Sequence, residues 1–296
     1  MPSEPPHNGG AVGAAEPPAH STPPVDPAPR IPPDAASRNP APKGPGTIWH
    51  LLASVALLIA IVWVGLHFEP RANAWVIILV LMAAFALVNG HGITGSPWGI
   101  LVDSRNKMSL SRLQMLAWTL VVLSTLVTAI LTNVARGAAA PMDIAVPQEL
   151  WVLLGITTAA AVGAPAVLNS RRQKKPDGTE LQKTEKALQQ QGHAPVDTTD
   201  DSVVLRNADV RDARFSELLK GDESGNASTV DLGKLQMFFF TFVLVAGYGS
   251  AVYSMFLQDA HVTALPSVQE GMNVLLGISQ TGYLAMKATG DSKEKS

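Results

Sequence analysis

Two glutamines stand in near-copies of one decapeptide. Gln114 lies in LSRLQMLAWT, residues 110–119, and Gln236 lies in LGKLQMFFFT, residues 232–241, 122 positions further on. Each sits about half a turn inside a long apolar run. An amide placed in hydrocarbon costs several kcal/mol unless it finds a partner. Two chemistries follow. The plain one is a hydrogen bond between helices. The sharper one is a polar ring at the cytoplasmic mouth of a pore. Other polar residues fall in the same pattern. Thr119 aligns with Thr241 and Thr157 with Ser279 at the same offset, and Asn273 and Gln280 lie in the last apolar run. Together they form a candidate lining for a hydrated path, or a set of interhelical contacts.

Reactive chemistry has little to stand on. There is no cysteine, which removes disulfides and thiolate chemistry. His50, His67 and His261 are isolated at the ends of apolar runs, and His91 is a single titratable group in GHGITGSPWG. That glycine-rich stretch lacks the GxxxxGK[ST] spacing of a phosphate loop and reads as an interfacial turn anchored by Trp98. GDESGN, residues 221–226, fails the calcium-loop pattern because its acids do not alternate before a glycine. Ala246-Gly247-Tyr248-Gly249 lies midway through an apolar run with no pore helix before it, so a potassium filter is excluded. No acid, base, nucleophile and metal ligands cluster. Neither an enzyme nor a cofactor is expected.

The elements that must position these residues are long and apolar. Of 296 residues, 47% are apolar and only 16% charged, with a mean hydropathy of +0.17. About twenty apolar residues at 1.5 Å per residue cross a bilayer core of roughly 30 Å. Residues 48–66, 74–89, 113–134, 150–168 and 235–256 are such runs, and 271–286 is a weaker one. The weaker run gains support from the repeat, because Leu153-Leu154-Gly155-Ile156 aligns with Leu275-Leu276-Gly277-Ile278 at the offset of 122. The fold expected is an all-α membrane protein of six transmembrane helices. Its last four form a tandem parallel repeat of a two-helix hairpin.

The expected organisation follows from these runs. A proline-rich tail covers 1–46, which holds 14 of the 22 prolines and reads as disordered. It has no apolar core after a short basic start, so it is not read as a signal peptide. A transmembrane hairpin covers 47–90, the first repeat 91–169, a polar cytoplasmic insert 170–230, the second repeat 231–288, and a cytoplasmic tail 289–296. Within the insert, 179–191 reads as an exposed helix and 203–205 as a short strand. Residues 212–220 read as an amphipathic helix laying Phe215, Leu218 and Leu219 on the membrane surface.

Basic residues orient the chain. Both termini, 90–112 and 169–234 share one side, which then holds 20 of the 22 Lys and Arg. The positive-inside rule makes that side cytoplasmic. Ser109 and Asp231 occupy matching positions before the third and fifth spans and read as helix N-caps. Arg112 and Lys234 then fall in the first turns and read as headgroup anchors.

The stretches SLSRLQMLAWT, GDESGN…DLGKLQMFFFT and LLGISQTGYLAMKA resemble an uncharacterised group of bacterial multi-pass membrane proteins, over roughly residues 95–290. The resemblance implies a bacterial inner-membrane location and brings no activity or site residue. The lipid bilayer is the expected partner. Homo-oligomerisation and a cytoplasmic protein partner are both compatible with this reading, and a net charge of −2 argues against nucleic acid. A channel or transport-related protein of unknown substrate is the first expectation. A scaffold or sensor acting through the tail and insert is the second.

Overall fold

The computed structural model describes residues 47–193, 196–197, 202–258, 260–290 and 292. The expected proline-rich tail and most of the expected C-terminal tail lie outside these residues. Within them the fold is helical. In chain order the helices are α1 (Thr47–His67), α2 (Arg71–Thr94), α3 (Leu110–Ala135), α4 (Gln148–Arg171), α5 (Gly178–Gln190), α6 (Leu232–Leu257) and α7 (Glu270–Thr289). Among the described residues, α1, α2, α3, α4 and α6 are long and apolar enough to cross a membrane. The sequence leads one to expect six such helices, and α7 is not among the five. Asn273, Ser279, Gln280, Thr281 and Lys287 dilute its apolar content.

Local chemistry sets the helix ends. Ser109 accepts a hydrogen bond from Arg112 N–H at the start of α3, and Asp231 accepts one from Lys234 N–H at 3.0 Å at the start of α6. Each cap satisfies a backbone donor that the first turn leaves open. Helix α2 runs through Gly90 and His91 and stops at Gly95, whose φ of 72° suits a residue without a side chain.

The interior is built from one stripe of each helix. Trp75 of α2, Trp118, Val121 and Val122 of α3, Leu150 and Leu153 of α4, Leu244, Tyr248 and Val252 of α6, and Leu276 of α7 form the main core. Residues three and four apart share a helix face, so these spacings give each helix an inward stripe. Two threonines within the stripe of α3 are satisfied locally. Thr125 and Thr128 donate to the carbonyls of Val121 and Ser124, each at 2.7 Å. Helix α1 packs on α2 through Ile61, Val64, Ala74 and Ile78. Its outer face leaves Ile48, Trp49, Leu52, Ile59 and Trp63 exposed. So broad an apolar surface suits lipid and does not suit water.

The two ends of the bundle differ. At one end the α3–α4 and α6–α7 loops meet. Ala145 N–H donates to Thr263 at 2.8 Å, and Leu265 N–H donates to Ala145 at 3.0 Å. Asn133 clamps Val262 from both sides, at 2.7 and 2.8 Å. The other end carries the 102–109 loop, the last turn of α4, the first turn of α6, the last turn of α7 and the insert.

The insert is more ordered inside than its polarity suggests. The expected helix is α5, capped by Asp177. The expected strand at 203–205 is instead an irregular buried run, held by bonds from Val203 N–H to Lys174 and from Leu205 N–H to Asp222, both 3.0 Å. A two-residue antiparallel pair lies beside it, β1 (Val196–Asp197) with β2 (Arg206–Asn207). The expected amphipathic helix at 212–220 is two single turns, Val210–Asp212 and Phe215–Leu218. Leu218 does not lie on the membrane surface. It is buried with Val102, Met108, Leu110 and Met237. Phe215 is exposed and meets the ring of Trp98 edge-on, with centroids 4.6 Å apart.

Candidate functional site

Charged side chains gather where the insert meets the helix ends. The 102–109 loop folds back on itself, with Asp103 N–H donating to Lys107 at 2.9 Å and Asn106 in the left-handed region at a φ of 57°. This turn aims Asp103, Arg105 and Lys107 inward, and all three are buried. Arg105 forks onto Asp103, donating from Nε at 3.0 Å and Nη2 at 2.6 Å, and its Nη1 reaches Asp222 at 2.8 Å.

The opposing turn, Gly221-Asp222-Glu223-Ser224, is also buried. A Cβ on Gly221 would come within 2.0 Å of the Asn226 side chain, at 1.9 Å, so the turn requires glycine there. Asp222 is the hub. Its Oδ1 accepts from Arg105 and from Lys234 Nζ at 3.1 Å, and its Oδ2 accepts from Lys287 Nζ at 2.8 Å. The neighbouring Glu223 takes the guanidinium of Arg171 in a fork, at 2.9 and 3.1 Å. One dipeptide of the insert therefore holds the α2–α3 loop, the end of α4, the start of α6 and the end of α7. Glu217 completes the layer, accepting from the N–H groups of Met108 and Arg214 at 3.0 and 3.1 Å and from Asn207 at 2.8 Å.

Burial by itself would raise the Asp222 carboxyl, but Arg105, Lys234, Lys287 and Lys107 outweigh it and hold the group well below the usual carboxylate range. Glu223 is lowered in the same way by Arg171, against burial. Arg105 is raised, because Asp222 and Asp103 overcome its desolvation. Lys107 behaves oppositely. Burial dominates, and its ammonium is pushed down to about 8. These carboxylates are committed to cations and backbone donors, so the cluster is suited to holding elements together and not to proton transfer.

The residues singled out from sequence separate into an inner set and outer members. Gln114 is buried. It donates to Thr241 Oγ1, and its Oε1 accepts from Gln280 at 2.7 Å. Gln114, Thr241 and Gln280 thus form one interhelical contact among α3, α6 and α7. Gln236 is not part of it and is exposed. Thr119 is half-buried and donates to Met115 of its own helix at 2.7 Å. Thr157 is buried and bonds back to Leu153 and Leu154. Asn273 is buried at the opposite end and donates to Glu149 at 2.9 Å. Ser279 is buried, and its hydroxyl has no protein partner.

Comparison with known families, curated proteins and solved structures returned no match. The site is therefore read from its own geometry. Sequence reasoning missed the ion cluster. It treated Lys234 as a headgroup anchor and dismissed GDESGN once the calcium pattern failed, yet Lys234 is 2% exposed and bonded to Asp222. The available signal was the pairing of a base-containing turn, DSRNK, with an acidic turn, GDE, each next to a helix start.

Proposed function

We propose that this chain is a six-span protein of the bacterial inner membrane with a transport-related role, closed on its cytoplasmic side by the docked insert. One observation carries the reading. Asn273, Gln280 and Lys287 recur every seven residues along α7, on the face turned to the other helices. Seven residues are close to two helical turns, so the three lie in one line. On that line Asn273 Oδ1 and Gln280 Oε1 have no protein partner, and neither does Ser279 Oγ one residue to the side. Unpaired polar atoms in an apolar interior are costly, and water is the partner that relieves them. Their chemistry is neutral amide and hydroxyl, which suits water or a small uncharged polar solute.

Several features support the six-span reading. The outer face of α7 exposes Met272, Val274, Leu275 and Ile278, as a lipid-facing helix would. Helices α3 and α6 have equal length, 26 residues, and start 122 positions apart, as do α4 and α7. This agrees with a duplicated hairpin. The test is osmotic swelling of liposomes in glycerol and urea, comparing the natural chain with a Gln114→Leu/Gln280→Leu pair, which removes both partners together. Solute entry that the double substitution reduces at least tenfold is expected. Absent or unchanged entry removes the reading.

A membrane-anchored sensor is the second reading, favoured by Asp222 and Glu223 tying the insert to three helix ends and the α2–α3 loop. Deleting 176–210 would then abolish capture of a cytoplasmic partner while membrane insertion persists.

A further inference from the structure

Lys107 is the exception in the ion cluster. Arg105, Arg171, Lys234 and Lys287 each meet a carboxylate. The Lys107 side chain is buried at 6% exposure, and among the described residues its Nζ has neither an ion pair nor a hydrogen bond. The surrounding count is uneven. Five buried cations face four buried carboxylates, Asp103, Glu217, Asp222 and Glu223. Lys107 points to a small cavity whose wall also includes Lys220, His193, Asn207 and Glu217.

The wall is rich in donors and short of acceptors. Lys220 spends two N–H groups, one on Gln191 and one on His193 Nε2 at 2.9 Å, and keeps a third. A lysine can only donate, so His193 accepts at Nε2 and is neutral. Glu217 already accepts from Met108, Arg214 and Asn207, and the Asn207 amide is spent on Glu217 and Asn106. The free volume is about 10 Å³, room for one guest of roughly water size. That excludes phosphate, sulfate and carboxylates.

We propose that Lys107 and Lys220 bind a single halide-sized anion, chloride under ordinary conditions, between the insert and the 102–109 loop. The ion would balance the fifth cation and accept the free N–H groups of both lysines. Lys107 is faced by Asp222, Arg105, Glu217 and Lys234, and Lys220 by Glu217 and Arg214. Burial is the largest cause lowering the proton affinities of Lys107, Lys220 and His193, and it outweighs the opposing pull of Glu217 on all three. The inference is independent of any transport role.

The test uses the full chain in detergent at pH 7 and constant ionic strength, with gluconate replaced stepwise by chloride, bromide or sulfate. Chloride and bromide should raise the thermal midpoint saturably by about 2–4 °C, and sulfate should not. Lys107→Met and Lys220→Gln should each flatten the response. Crystals of the natural chain grown in bromide should show anomalous density beside Lys107 Nζ, a readout that needs no variant. A flat response of the natural chain, an equal response to sulfate, an undiminished response in Lys107→Met, or no bromide at Lys107 overturns the proposal.

Discussion

Asp222 carries more of the insert's attachment than any other residue in the cluster. A buried ion pair contributes little net stability when complete, but removing one partner leaves a desolvated charge and costs roughly 3–5 kcal/mol. Asp222→Asn takes a carboxylate from Lys234 and Lys287 at once and leaves Arg105 with Asp103. It should detach the insert, seen as faster protease cleavage around α5 and a lower unfolding midpoint, while the helices stay membrane-embedded. Acid should act similarly. The Asp222 carboxyl is held well below its ordinary value, so its stabilisation is complete above that value and is lost as pH falls below about 4. Lys107 has the opposite sign. It binds its proton less tightly folded than unfolded, about 8 against 10.5. Its charge therefore lowers stability at pH 7, and the deficit fades as pH climbs from about 8 to 10.5, where only the unfolded lysine stays protonated. In chloride-free buffer Lys107→Met should be more stable than the natural chain at pH 7 by up to ~3 kcal/mol. Denaturant titration should show that gap closing across this window. A gap that stays constant with pH would remove burial as the cause.

At the scale of elements, helix caps and lengths were legible, and helix faces were not. Ser109 and Asp231 cap as their positions foretell, because capping depends on a few consecutive residues. Which face turns inward depends on neighbours. Helix α3 buries Leu110, Gln114, Trp118 and Val121, whereas α6 buries Met237, Thr241, Leu244 and Tyr248. At the offset of 122 the second stripe is turned by one residue, about 100°. Helix α1 packs beside α2 and α3, so the two hairpins have different surroundings. Gln114 accordingly enters the core and Gln236 leaves it. Two substitutions separate these positions. Gln236→Leu should change stability by less than about 0.5 kcal/mol, as exposed sites usually do. Gln114→Leu leaves Gln280 and Thr241 facing an apolar side chain and should cost ~1–3 kcal/mol. Thermal unfolding of both variants in one detergent checks the order, and equal effects would contradict the burial difference.

For the whole molecule, hydropathy marked the membrane layer but hid the polar layer beneath it. Apolar runs report themselves, since about twenty residues must be apolar in sequence to cross a bilayer. The ion cluster draws on residues from position 103 to 287. Apart from Arg105 with Asp103 its pairs are separated by 12 to 117 positions, and a lysine buried on an aspartate looks the same in sequence as one in water. Two features of the folded chain constrain how it sits in a bilayer. The α3–α4 and α6–α7 loops share one end of the bundle, through Ala145 with Thr263 and Leu265. The insert and the last turn of α7 share the other end, through Asp222 and Lys287. If the apolar belt between them is the membrane, the two ends face opposite compartments, and α7 must cross with the rest. Cysteine labelling can test this directly because the natural chain has none. Ala139→Cys and Ala264→Cys are exposed loop positions at one end, and Gln182→Cys is exposed on α5 at the other. In intact cells an impermeant maleimide should label the first two together and leave the third until the cells are lysed. Labelling in intact cells of Thr289→Cys, exposed at the last turn of α7, together with 139 and 264 would mean that α7 lies along the surface and not across it. The polar line from Asn273 to Lys287 would then face a headgroup layer, and a path through the bundle would lose its fourth wall.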